Sequence, residues 1–201
     1  MTTARPARES RTVKLTDHAV DDLRFIRSTM ERAGAFTAVP GWGGVAMGVT
    51  ALAAALIGAA QPSLGRWLTV WVAAAAIASA IGLWTMARKA RRLDVPLVSG
   101  PGRKFALGLL PPVVVGALLT AALLQTGDPT LVPAVWLLLY GTGIVAAGAF
   151  SVPVVPIQGL AFLVLGAAAL LVPAAGDLLL GLGFGAINIV FGVVIAMRHG
   201  G

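Results

Sequence analysis

The chain has 201 residues, of which 58% are hydrophobic and only 11% are charged. Because a soluble domain carries about 25% charged residues, this composition excludes an ordinary globular surface and indicates a membrane protein. There is no cysteine, which excludes disulfides, thiolate metal sites and cysteine nucleophiles.

Residues 1–36 are polar and basic. Residues 1–15 contain no apolar run, so we expect a disordered basic tail and no cleavable signal peptide. Across residues 16–36, apolar side chains recur at intervals of three and four, with aspartates early and arginines late. This pattern predicts an amphipathic helix that lies in the membrane interface on the cytoplasmic side and is too charged to cross the bilayer.

Six apolar stretches follow within residues 37–201, each close to the length of about 20 residues that a helix needs to cross a bilayer. The predicted spans are Gly41–Ala60, Arg66–Ala87, Phe105–Gln125, Leu131–Phe150, Val154–Val172 and Asp177–Met197. The sequence therefore predicts an all-α bundle of six transmembrane helices, preceded by the cytoplasmic amphipathic helix. Because the connections are short, sequential helices should pack as antiparallel neighbours.

Lysine and arginine are distributed unevenly along the chain. Of 15 such residues, 13 lie in the N-terminal region or in the loop Arg88–Lys104, and Arg198 follows the last span. Six spans place all of these on one side of the bilayer and leave only Arg66 on the other. Since basic residues near span ends stay in the cytoplasm, we predict that both termini and the Arg88–Lys104 loop are cytoplasmic.

Two pairs of glycines lie four residues apart inside predicted spans. Gly44 and Gly48 belong to the first span, and Gly181 and Gly185 belong to the last. Where side chains are absent, a second helix can approach closely enough for backbone contact. We expect these glycines to pack helices within the chain, while contact with a second copy, and hence the oligomeric state, stays open.

Few polar side chains lie inside the spans, and Asn188 is near the middle of the last one. Its amide needs a partner within the protein because hydrocarbon offers none. One interpretation is a hydrogen bond to a neighbouring helix. The other is a substrate cavity that Asn188 lines together with Gln158 and Tyr140.

The predicted spans contain few side chains that could serve catalysis or ion transport. The histidines, His18 and His199, lie outside the spans, and no carboxylate lies inside them. Because ionisable groups inside the membrane mark proton relays and ion pathways, their absence argues against ion-coupled carriers and against haem or metal sites. We predict no catalytic residue, no cofactor and no metal. On the outer face, Arg66 and Asp177 are predicted to form an ion pair if their helices are neighbours.

Three parts of the sequence resemble an uncharacterised group of small bacterial six-helix integral membrane proteins. They are Phe36–Gly44, Phe150–Pro156, and Gly183–Gly192 together with Arg198–Gly201. The resemblance covers the chain from about Leu23 onward, and it implies the bacterial inner membrane with no known activity. In that group the position of Asn188 is often histidine, and the asparagine here weakens any metal or haem role.

These patterns favour a non-enzymatic membrane component, such as a scaffold, partner subunit or sensor, acting through its cytoplasmic face. Its expected partners are the lipid bilayer and a membrane or cytosolic protein. Nucleic acid is not expected, because the basic tail has no aromatic side chains on which bases could stack. The alternative is a carrier or channel for a small neutral or apolar solute. A third hypothesis, an enzyme acting on lipid at the interface, requires His18, Asp21 and Asp22 to converge on a pocket.

Overall fold

The structure, a computed structural model, describes residues 22–26, 36–93 and 100–199. Within these ranges, six helices are long and apolar enough to cross a membrane, which confirms the predicted number of spans. They are α1 Gly41–Ala59, α2 Leu64–Arg92, α3 Gly100–Thr126, α4 Val132–Gly148, α5 Val154–Leu171 and α6. Helix α6 combines the α-helical segments Gly176–Gly181 and Asn188–His199 with an intervening π-helical turn, Leu182–Ile187. Short 3₁₀ turns, Pro129–Leu131 and Pro173–Ala175, precede α4 and α6.

Helices α2 and α3 are longer than the sequence predicted. Helix α2 continues past Ala87 to Arg92, and α3 begins at Gly100 instead of Phe105. The 29 residues of α2 measure about 43 Å at 1.5 Å per residue, whereas a bilayer core is about 30 Å thick. The basic last turns of α2 therefore extend beyond the apolar layer of the bilayer. Hydropathy does not detect these turns as part of the helix because they are polar.

Of the predicted amphipathic helix at 16–36, the structure describes residues 22–26, which are helical and exposed. The rest of that helix up to residue 35, and the basic tail at 1–15, lie outside the described residues. Phe36, at the predicted boundary, is extended and forms an isolated parallel bridge with Ser151. The helical conformation is disfavoured nearby, because the ring of Pro40 clashes with a helical Val39.

The helices do not all follow the expected order of sequential neighbours. Helix α1 packs on α2 and α6, while α4 packs on α3 and α5. Helices α2 and α3 are consecutive in the chain, yet each covers the outside of a different inner helix. The expectation was wrong at this connection because the first and last spans pack together instead, and their glycine-rich surfaces permit that close approach.

Small residues form the buried face of α1, and many large apolar side chains of the bundle are exposed. The buried residues of α1 are all glycine or alanine: Gly41, Gly43, Gly48, Ala51, Ala54 and Gly58. In contrast, Leu56 is 77% exposed, Leu171 83% and Met197 79%. Apolar surface of this extent would promote aggregation in water. In lipid it is well solvated, and the helices associate through their small residues.

Candidate functional site

A chain of amide hydrogen bonds joins α5 to α6 inside the bundle. Gln158 Nε2 donates to Asn188 Oδ1 at 2.8 Å, and Asn188 Nδ2 donates to the backbone oxygen of Phe184 at 2.8 Å. Both side chains are buried, with 8% of Gln158 and 4% of Asn188 exposed. The structure therefore brings these two predicted residues together as partners of each other.

The Asn188 amide also completes an irregular part of α6. The backbone N–H of Asn188 bonds to the oxygen of Gly185, three residues earlier. In a regular α-helix this N–H would instead reach Phe184, four residues earlier. The side-chain amide of Asn188 donates to the Phe184 carbonyl within this irregular turn, where the apolar surroundings offer no water. Sequence analysis missed the π-helical turn, although its glycines, which weaken regular helix, were the available signal.

Tyr140 lies in an aromatic cluster beside these amides. Its ring centroid is 4.9 Å from that of Phe162 and 4.8 Å from that of Phe184. Phe184 contacts the tyrosine through its ring and Asn188 through its carbonyl, so the cluster and the amide chain share one residue. Among the described residues, no fully buried side-chain nitrogen or oxygen lacks a hydrogen-bond partner. The Asn188 amide and the Gln158 amide nitrogen are therefore hydrogen-bonded within the protein.

The four predicted glycines lie at the interface between α1 and α6. A Cβ atom added to Gly48 would lie 2.7 Å from the Gly185 oxygen, and one added to Gly44 would lie 3.3 Å from the Gly192 Cα. Gly181 and Gly185 face side chains of α1. The pairs predicted from their spacing thus meet each other inside one chain.

The described residues contain no ion pair between Arg66 and Asp177. Both side chains are exposed, each in the first turn of its helix. Helix α2 packs along α1 rather than along α6. The two helices do touch at the opposite end, through Lys89 and His199, but the pair predicted from the sequence is not formed among the described residues.

At the basic end of the bundle, residues 36–40 enter the structure as an extended segment, here called the strap. Phe36 is 1% exposed and Ala38 is fully buried. The Phe36 N–H donates to the oxygen of Phe150 at 2.6 Å, and Ser151 Oγ donates to the oxygen of Phe36 at 2.8 Å. These bonds fix the strap to the turn between α4 and α5.

The Phe36 side chain lies in a buried cluster with residues of three helices. It belongs to a buried cluster with Ala90 of α2, Phe105 of α3 and Ala147 of α4, and its ring centroid is 5.0 Å from that of Phe105. Sequence analysis missed this role, although an aromatic residue just before an obligatorily extended Val–Pro step was an available signal. Two of the segments that carry the resemblance, those beginning at Phe36 and Phe150, meet here.

Lys89 connects the strap to the end of α6. Its Nζ donates to the oxygen of Val39 at 3.0 Å and to the oxygen of His199 at 2.9 Å. The side chain is 6% exposed, although the sequence analysis counted it only as a charge of the basic loop. A cation at a helix C-terminus satisfies carbonyl groups that have no partner in the helix and is favoured by the helix dipole.

The residues of the third hypothesis are not brought together in the described part of the chain. His18 and Asp21 lie outside it, and Asp22 is helical and exposed. Within the described ranges no three histidine, aspartate or glutamate side chains cluster closely enough to hold a metal. Comparison of the chain with protein-family models, with curated proteins and with solved structures found no match. The resemblance to the bacterial group therefore stays a prediction.

Proposed function

We propose that this chain is a non-enzymatic component of the bacterial inner membrane, a scaffold, partner subunit or sensor that acts through the basic end of its bundle. This end, with both termini, is placed in the cytoplasm because lysine and arginine near span ends stay on that side. The proposed partner is a membrane or cytosolic protein that contacts this end.

The strap is the observation that carries the proposal. From Phe36 onward, the described chain begins as a buried segment that is hydrogen-bonded to the bundle. A partner that displaces the strap therefore also acts on the buried cluster that Phe36 shares with residues of α2, α3 and α4. A simple lipid-facing anchor needs no such connection, whereas a scaffold or a sensor uses one.

The hydrogen bonding of the amide side chains inside the bundle favours a non-transporting membrane component over a carrier for a solute. A carrier for a neutral solute needs polar groups that the solute can reach during its passage. Gln158 and Asn188, the two amides best placed for that task, are hydrogen-bonded to each other. They stabilise the contact between α5 and α6, which suits a permanently packed bundle.

Photo-cross-linking in native membranes tests the proposal. A benzophenone amino acid is introduced at Leu93 or His199, which are exposed at the basic end, and at Ser63 or Thr126, which are exposed at the opposite end. We expect a discrete cross-linked protein from the basic end and none from the opposite end. Equal yields at both ends, or no adduct from Leu93 and His199, would contradict the proposal.

A strap variant sharpens this experiment. Phe36→Ala removes the side chain that shares a buried cluster with residues of three helices, and we expect the adducts from Leu93 and His199 to weaken while the protein stays in the membrane. Phe36→Leu keeps most of the buried volume and should retain them. If Phe36→Ala leaves adduct yields unchanged, the strap does not transmit the partner's contact.

A further inference from the structure

One exposed face of α2 carries three arginines and a tryptophan near the basic end. Trp84, Arg88, Arg91 and Arg92 follow one another at helical spacing, so they lie on the same face, which we call the arginine stripe. All four side chains are exposed. The buried residues of this turn, Lys89 and Ala90, point toward the bundle instead.

The stripe lacks anionic partners in the described part of the chain. The guanidinium groups of Arg88, Arg91 and Arg92 make no ion pair or hydrogen bond with any described residue. Arg88 makes a cation–π contact, with its Cζ atom 4.9 Å from the centroid of the Trp84 ring. The Trp84 indole N–H likewise has no acceptor among these residues. Several donors therefore have no acceptor among the residues that the structure describes.

Along the axis of α2, an apolar surface comes before the arginine stripe. On the side of the bilayer core, Ile77 precedes Trp84 by two turns on the same face; Ile77 is 53% exposed and Trp84 59%. The three arginines begin one turn beyond Trp84 and continue to the end of α2. Indole rings collect at the level of the lipid headgroups, so the arginines lie at the height of the phosphates or just above them.

We propose that the arginine stripe binds the headgroup of an anionic phospholipid, with the acyl chains along the apolar face of α2 below it. Guanidinium groups match phosphate through paired hydrogen bonds, and three on one face favour a net negative headgroup over a zwitterionic one. The adjoining apolar face favours a lipid over a soluble phosphate compound, because only a lipid fills both zones. This inference rests on the membrane placement and not on the protein partner.

Native mass spectrometry of the purified protein in mild detergent tests the proposal. The protein is mixed with phosphatidylglycerol and phosphatidylethanolamine of identical acyl chains. We expect phosphatidylglycerol to be retained in preference, and each of Arg88→Gln, Arg91→Gln and Arg92→Gln to weaken its retention about five-fold. Equal retention of the two lipids, or unchanged retention after all three substitutions, would overturn the proposal.

Matched variants distinguish lipid binding at a defined site from lipid binding that depends only on the overall positive charge of this end. Arg103→Gln and Arg198→Gln each remove one exposed arginine from the same end but outside the stripe, and should change retention less than two-fold (about the scatter expected of a surface substitution). Losses equal to those within the stripe would contradict a defined site. Excess inorganic phosphate should not displace the lipid, and displacement would assign the site to free phosphate. The cross-linking result with a protein partner does not depend on any of these outcomes.

Discussion

Adjacent basic residues of α2 occupy opposite environments. Arg88 and Arg91 are exposed, whereas Lys89 between them is buried against the oxygens of Val39 and His199. Helical geometry separates them, because successive side chains point about 100° apart. At the scale of single residues, the charge of a side chain therefore does not show what it does. Lys89 has a structural role because backbone carbonyl groups face it.

The first prediction concerns Lys89. Lys89→Met keeps the aliphatic length but removes both hydrogen bonds, and we expect the free energy of unfolding to fall by about 2 kcal/mol, since bonds to charged donors are the stronger kind. Arg103→Gln, at an exposed position of α3, is the control and should change it by less than about 0.5 kcal/mol. Reversible unfolding in mixed micelles measures both. Equal effects would mean that the Lys89 contacts do not stabilise the fold.

The second prediction concerns the pair Gln158–Asn188. We expect a double-mutant cycle with leucine at both positions to give a coupling free energy of about 1 kcal/mol, in the range measured for hydrogen bonds between membrane helices. Thr142→Val is the control, because the Thr142 hydroxyl bonds only within its own helix and is exposed. Strictly additive single effects would show that the amide contact contributes nothing to the packing of α5 on α6.

At the scale of elements, the contact between α1 and α6 depends on missing side chains. The first and last spans approach until Gly48 nearly touches the backbone of α6. The glycine spacing predicted close packing but could not identify the partner helix, because spacing within one helix says nothing about its neighbour. The sequential order of helices predicted the pairs α1–α2, α3–α4, α4–α5 and α5–α6 correctly, and it failed where α2 leads to α3.

A glycine substitution tests this element-scale packing. Gly48→Ala places a Cβ 2.7 Å from the Gly185 oxygen and 2.9 Å from the Ile189 nitrogen, both backbone atoms that cannot rotate away. We expect a loss of about 1–3 kcal/mol in the free energy of unfolding. Gly65→Ala in α2 meets nothing within 4 Å and should show no loss. No loss for Gly48→Ala would mean that helix α1 can shift freely against α6, and comparable losses for both variants would mean that this contact is not the cause.

For the whole molecule, hydropathy predicted the six spans because the bilayer imposes one length and one polarity on each of them. It could not predict the strap, whose conformation depends on long-range contacts between Phe36 and the turn at Phe150. Nor could it predict the mutual pairing of Gln158 with Asn188, which lie 30 residues apart in the chain. The amides were recognised as residues in need of partners, and only the folded arrangement shows which partners they have.

Cysteine labelling tests the central claim, a six-span membrane bundle with its basic end in the cytoplasm. The chain has no cysteine, so each introduced cysteine is the only thiol of the protein that the reagent can label. With a membrane-impermeant maleimide on intact cells, we expect labelling of Ser63→Cys and Thr126→Cys, but of Leu93→Cys only after permeabilisation. Val164→Cys is decisive: the side chain of Val164 is 69% exposed, yet it should resist the reagent on both sides because it faces hydrocarbon. Labelling of Val164→Cys, or of Leu93→Cys in intact cells, would contradict the account.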